Sequence, residues 1–143
     1  MGKRTWIDSD IWSDTDDLSA EDRVLYLCLL TNSQRNIAGY YRLSLEHFAL
    51  DMRMSVAEVK KRLKAKNKYW VYDEQTGQVL IPKYTKYNVV RSPQQFRKLN
   101  AELCGLRPCK LHKTFVEAFV ECNGTGAETL LDVKFLERAK PYK

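Results

Sequence analysis

Four side chains of metal-ligating type sit near one another, spaced Cys104-x4-Cys109-x2-His112-x9-Cys122. Structural zinc sites close on tight cysteine pairs, two to four residues apart. Cys104-x4-Cys109 falls in that range, but the set as a whole fits no known pattern, so Cys104, Cys109, His112 and Cys122 are expected to be thiols and a histidine of ordinary packing, with no metal. Five acids crowd another stretch: Asp8, Asp10, Asp14, Asp16 and Asp17. A calcium loop needs a central glycine and a closing glutamate at set offsets, and neither is in place. The two histidines, His47 and His112, adjoin no recognisable nucleophile motif. No phosphate-cradling glycine loop occurs. The expectation is a protein without catalytic activity and without a cofactor.

The chemistry that remains is recognition of polyanions. Residues 52–112 carry 14 Lys+Arg against 4 Asp+Glu, whereas residues 1–51 carry 5 against 9 and residues 113–143 carry 5 against 5. Between Arg53 and Lys68 there are seven cations and one acid. A solvated helix usually mixes signs to gain i, i+4 pairs. Cations concentrated on one rigid element attract nucleic acid, because neutralising phosphates releases counterions.

The element that must hold those cations is a helix over 55–66, capped by Ser55. Val56, Val59 and Leu63 are expected to face inward, at i, i+3 and i+7. Lys61 then lies opposite that stripe with Ala57 and Glu58 beside it. Lys64 also points outward, and Lys60 and Arg62 lie on the flanks. Arg53 and Arg62 are the better candidates for base edges, since bidentate guanine reading favours arginine. The lysines suit phosphate contacts, which predicts modest sequence discrimination and a steep salt dependence.

Around this helix the pattern predicts further elements. A helix starts at Ser19, with Leu25, Cys28 and Leu29 inward and Val24 and Leu27 beside them. A strand covers 37–43, and Ser44 caps a helix over 45–50 with Leu45, Phe48 and Ala49 inward. Residues 69–82 form a β-hairpin around Gly77. Its polar tip offers Gln75 and Thr76 to a nucleic-acid groove or backbone. Lys83, Lys86 and Arg91 follow, interleaved with Tyr84 and Tyr87. Such mixtures suit stacking on single strands, although core packing is the stronger expectation for the two tyrosines. Ser92-Pro93 starts a helix to about Leu103. Further helices are expected over 113–121 and 128–138. Helix, strand, helix, helix, hairpin is the order of a winged helix-turn-helix. The expected class is mainly α with a small β-hairpin, a winged helix followed by C-terminal helices.

Three segments follow: an N-terminal arm (1–17), the DNA-binding unit (18–90) and a helical extension (91–143). The arm reads as a short strand or loop. Its apolar residues Trp6, Ile7, Ile11 and Trp12 are candidates for self-association. No apolar run approaches the length of a membrane helix, and no signal peptide is visible, so a cytoplasmic location and reduced cysteines are expected.

Several runs resemble a known family. Leu30-Thr-Asn-Ser, Asn36-Ile-Ala-Gly-Tyr-Tyr-Arg-Leu-Ser-Leu45, Ser55–Leu63, Ile81-Pro-Lys-Tyr-Thr-Lys-Tyr-Asn88 and Ser92-Pro93 are together similar to phage replisome organizer proteins, which are related to the DnaD primosomal protein. Tyr84 stands where that family often has Trp. The resemblance spans about residues 6–121. It implies a winged-helix domain that binds an origin of replication in a bacterial host cell, self-associates, and helps recruit a helicase loader or other primosome protein. Longer members carry a further domain, which is expected to be either absent from this protein or removed from this sequence. Two other readings use the same residues: a transcription regulator of winged-helix type, and a primosome interaction module in which the arm makes the contacts.

Overall fold

The computed structural model describes residues 4–142. Residues 1–3 of the expected arm and Lys143 of the extension lie outside the described residues. The helices are α1 (Ile11–Asp14), α2 (Ala20–Thr31), α3 (Leu45–Met52), α4 (Val56–Lys64), α5 (Tyr84–Tyr87), α6 (Pro93–Cys104), α7 (Leu111–Asn123) and α8 (Val133–Ala139). The strands are β1 (Tyr40–Arg42), β2 (Val71–Asp73) and β3 (Gln78–Leu80). Short 3-10 turns at Ala127–Leu130 and Lys140–Tyr142 flank α8. The chain is thus mainly helical with a small three-stranded antiparallel sheet, in the order β1-β3-β2.

Local sequence sets the main helix starts. Ser19 and Ser55 each accept a hydrogen bond from the backbone N–H three residues on. Ser92 and Gln95 close a reciprocal capping box behind Pro93. Each satisfies first-turn donors that have no partner inside the helix. Ser44 precedes α3 without a side-chain cap bond.

Strand alternation divides the core into two layers. Tyr41, Val79 and Ile81 face a cluster with Leu25, Leu29, Phe48, Val59, Leu63 and Trp70. Tyr40 and Leu80 face the other way, into a cluster with Leu99, Leu103, Phe115, Phe119 and Phe135. Adjacent strand residues point to opposite faces, so β1 and β3 serve both layers. The helices of segment 91–143 cover the second face of the sheet, sharing its core with residues of segment 18–90.

Several expectations need correction. The arm is neither strand nor simple loop, since α1 forms a single helical turn and Ile11 packs on the first cluster. On α2 the buried set is Leu25, Tyr26, Leu29 and Leu30, while Cys28 is only partly buried and Val24 is 48% exposed. The face is rotated because the Tyr26 ring packs on Tyr69 and Trp70, at centroid distances of 5.3 and 6.1 Å. Val56 is 40% exposed rather than seated, because α4 begins there and only Val59 and Leu63 reach the core. Leu45 is only partly buried at the edge of the first cluster. Tyr84 is core, but Tyr87 is 36% exposed. The expected helix over 128–138 is a 3-10 turn and a separate α8, restarted by the Asp132 cap.

Candidate nucleic-acid interface

α4 carries the cations on a firm seat. Val59 and Leu63 are buried, and Trp70 packs in the same cluster while its indole N–H donates to the Leu63 carbonyl at 3.2 Å. The turn from α3 into α4 passes through Arg53, the only described non-glycine residue with positive φ (55°). Glycine would take that left-handed conformation at lower cost, and the chain places an exposed arginine there. Ser55 is used as the cap of α4, its Oγ accepting the Glu58 N–H at 3.1 Å.

Ion pairing divides the cations of α4 into three kinds. Arg62 turns back to the protein: Nη1 donates to Asp22 at 2.9 Å and Nε to Glu58 at 3.0 Å. The Asp22 hydrogen bond raises the guanidinium pKa further. Arg62 and Glu58 therefore act as a brace between α4 and α2, which engages Arg62, an expected reader of base edges, inside the protein. Lys60 and Lys64 reach Glu74 on the β2–β3 turn, at 2.7 and 3.0 Å. The hydrogen bond from Lys60 is the largest cause holding the Glu74 carboxyl below its usual range, and it raises Lys60 in turn. These groups are well exposed, and exposed pairs of this kind contribute little to stability. Lys61 has no ion-pair partner among the described residues.

The turn after β2 is ordered by Asp73, which accepts the Thr76 N–H at 2.9 Å and also the Thr76 hydroxyl. Thr76 thus serves the turn, while Gln75 stays exposed. Gly77 closes the loop with φ of 69°. The hairpin tip and the outer face of α4 are joined through Glu74 into one rim. Lys60 and Lys64 meet Glu74 there, with Gln75 beside Lys64, while Lys61 lies on the outer face of α4 and Arg53 and Ser55 at its start.

The other expected contacts lie elsewhere. Lys83 and Lys86 border a cavity of about 320 Å³ together with Lys68, Trp6 and Tyr87. The Lys86 ammonium sits 5.4 Å from the Tyr87 ring centroid. Arg91 borders a groove between α6 and the segment before α8, with Arg97 and Lys134. In the arm, Asn88 grips both backbone groups of Trp6: the Trp6 N–H donates to Asn88 Oδ1 at 2.7 Å, and Asn88 Nδ2 donates to the Trp6 carbonyl at 3.2 Å. The Trp6 and Trp12 side chains are 77% and 54% exposed, and Ile7 is 38% exposed. Lys68, Tyr26 and Asn88 were missed by sequence reasoning. No local signal marks them, because the Trp6–Asn88 contact spans 82 positions.

Cys109 and His112 meet on the Tyr40 hydroxyl. The Tyr40 hydroxyl lies 2.6 Å from His112 Nδ1 and 3.3 Å from Cys109 Sγ. The Cys122 thiol faces the Pro82 carbonyl at 3.6 Å. No group of three or more His, Cys, Asp or Glu among the described residues is placed to hold a metal ion. No described helix is long and apolar enough to cross a membrane. Comparison with protein-family models, curated proteins and solved structures returns no match.

Proposed function

We propose that the chain is a winged-helix DNA-binding protein of phage or prophage replication initiation, with α4 as its recognition helix and the β2–β3 hairpin as its wing. The observation that carries this reading is the rim on which the outward lysines of α4 meet the hairpin tip. The arrangement agrees with a winged helix in element order and in β1 returning to pair with β3. A recognition helix of this kind enters the major groove, and its lysines meet phosphates while few groups remain to read bases. With Arg62 used internally, Arg53 is the remaining arginine near the helix for base contact. Duplex DNA is the primary partner in this reading. The place in replication, with assembly of a helicase loader or other primosome protein, rests on the resemblance described above. The exposed Trp6, Ile7 and Trp12 favour a self-association or primosome contact through the arm.

Fluorescence anisotropy with labelled duplex over a salt series tests the proposal. Each lysine–phosphate contact contributes about 0.9 to the slope of log K against log salt, so Lys61→Glu with Lys64→Glu should flatten it by about 2. Affinity at low salt should fall by about 10–100-fold, on the order of one to two such contacts. Absence of binding by the wild type at low salt would overturn the reading. An operator bound far more tightly than other duplexes would favour the transcription-regulator alternative.

Glu74 gives a second prediction with the opposite sign. Its carboxylate occupies Lys60 and Lys64 where a phosphate oxygen would sit, and bound DNA must displace it. Glu74→Gln is expected to raise duplex affinity by about 3–10-fold and to steepen the salt slope by about one contact. Unchanged or weaker binding in this variant would remove Lys60 and Lys64 from the DNA face.

A further inference from the structure

The cavity beneath the N-terminal arm has the make-up of a nucleotide site. Its volume of about 320 Å³ is at the small end of the roughly 300–1,000 Å³ found for small-molecule clefts, a size for one nucleotide rather than a run. Trp6, Tyr26, Tyr69 and Tyr87 supply its rings, and Lys68, Lys83 and Lys86 its cations. Tyr26 is held rigid behind by Tyr69 and Trp70. Tyr26 lines the cavity and is 9% exposed. Like any tyrosine hydroxyl, that of Tyr26 is protonated at neutral pH and can donate, and burial, with Tyr87 and Asp14 nearby, pushes its pKa up to about 12.

Two acids, Asp8 and Asp14, stand against the three lysines, so cations are in excess at the cavity. Asp8 Oδ1 is engaged by the Asp10 N–H at 2.9 Å. The Asp14 backbone carbonyl accepts the Tyr69 hydroxyl at 2.7 Å, while its carboxylate remains able to accept from an exocyclic base amine. The two Asn88 hydrogen bonds fix the Trp6 backbone at the rim of the cavity, and its largely exposed indole is free to close on a base there. Beyond that rim a second cavity of about 340 Å³ shares Trp6 and Asn88 and adds Arg4 and Lys98.

We propose that this cavity receives one unpaired nucleotide of DNA, the base among the aromatic rings and its phosphate at Lys68, Lys83 and Lys86. Stacking is sequence-tolerant because every base presents a π-face, and cations beside the rings track the backbone. An apolar peptide side chain would use the rings but not the excess of cations beside them. The inference rests on the DNA-binding reading and extends it: α4 engages duplex, while the arm cavity captures a base released when the duplex opens.

The test compares a fully paired duplex with the same duplex carrying one unpaired thymidine. Base–aromatic stacking of about 1–3 kcal/mol corresponds to about 5–150-fold, so the wild type should prefer the bulged duplex by about tenfold. Trp6→Ala, at an exposed side chain, should abolish most of that preference and leave paired-duplex affinity unchanged. Asn88→Ala should reduce the preference by releasing the Trp6 backbone. Equal binding of the two duplexes by the wild type overturns the inference while the DNA-binding reading stands. A preference that survives in both variants also overturns it, by moving the unpaired base elsewhere. Failure to bind either duplex overturns the DNA-binding reading and this inference with it.

Discussion

Gly39→Ala is expected to destabilise the fold by about 2–4 kcal/mol, the sum of left-handed backbone strain near 1 kcal/mol and overpacking of about 1–3 kcal/mol. Gly39 has φ of 68°, a conformation that alanine adopts only with strain. A Cβ built there would lie 2.2 Å from Tyr84 Cβ and 2.4 Å from its Cγ. Those atoms are at the root of a buried side chain, so no rotamer change moves them away. Gly39 also sits where the chain enters β1, and its carbonyl accepts the Ile81 N–H at 2.7 Å. Relief of the clash would separate β1 from the segment after β3 and shift Tyr84 between the two arm cavities. Urea unfolding followed by far-ultraviolet circular dichroism measures the cost. A midpoint within error of the wild type would show that Tyr84 and the strand entry yield freely.

Acidification is expected to weaken the protein between pH 6.5 and 4 through His112. The imidazole is fully buried, stacked 4.6 Å from the Phe135 ring, and its Nε2 has no hydrogen-bond partner. Burial lowers its pKa from 6.5 to about 4, with the Arg138 charge adding to the effect. The folded state therefore keeps the ring neutral where the unfolded chain is already protonated. The unfolded state binds the extra proton, so stability rises with pH across this window. The contribution is complete above pH 6.5 and is lost as the pH falls toward 4. At 1.36 kcal/mol per pKa unit, the loss is about 2 kcal/mol by pH 5 and about 3 kcal/mol by pH 4. The lowered carboxyls of Asp17 and Glu74 act only below their ordinary values of 3.8 and 4.5. The interval from 6.5 to 5 therefore isolates the histidine. His112→Phe preserves the stack on Phe135 and removes both ring nitrogens. Tyr40 then still has Gln78 Nε2 at 3.2 Å and Cys109 Sγ at 3.3 Å. Urea midpoints at pH 7, 6 and 5 should fall for the wild type and stay level for His112→Phe. A wild-type midpoint that does not move over this range would show that protonated His112 is accommodated without cost.

Local chemistry was legible in the residues alone. Ser19, Ser55 and Ser92-Pro93 mark helix starts because a cap bonds a backbone N–H only three positions away. Gly77 and its polar neighbours mark the hairpin because the turn requires positive φ. The concentration of cations over 53–68 is a property of composition, and the outward position of Lys61 follows from helical period. The order of elements, and with it a mainly helical chain with a small antiparallel sheet, was readable for the same reason.

Tertiary structure decided what each charge and ring is used for. Arg62 was a candidate base reader, and the fold paired it with Asp22 across 40 positions. Lys60 and Lys64 were candidate phosphate contacts, and the fold set Glu74 between them. The Trp6–Asn88 grip and the Tyr40–His112 pair join positions 82 and 72 apart. Helical period states which residues share a face, but not which neighbours cover it; Tyr26 therefore replaced Val24 in the core. By itself the sequence determined the caps, the turn, the element order and the segregation of charge, since these depend on backbone conformation and on neighbours within about one helical turn. Which cations remain open to a partner, which histidine is buried neutral, and where rings enclose a cavity were settled only when distant segments packed, because burial and pairing energies belong to contacts that sequence distance does not encode.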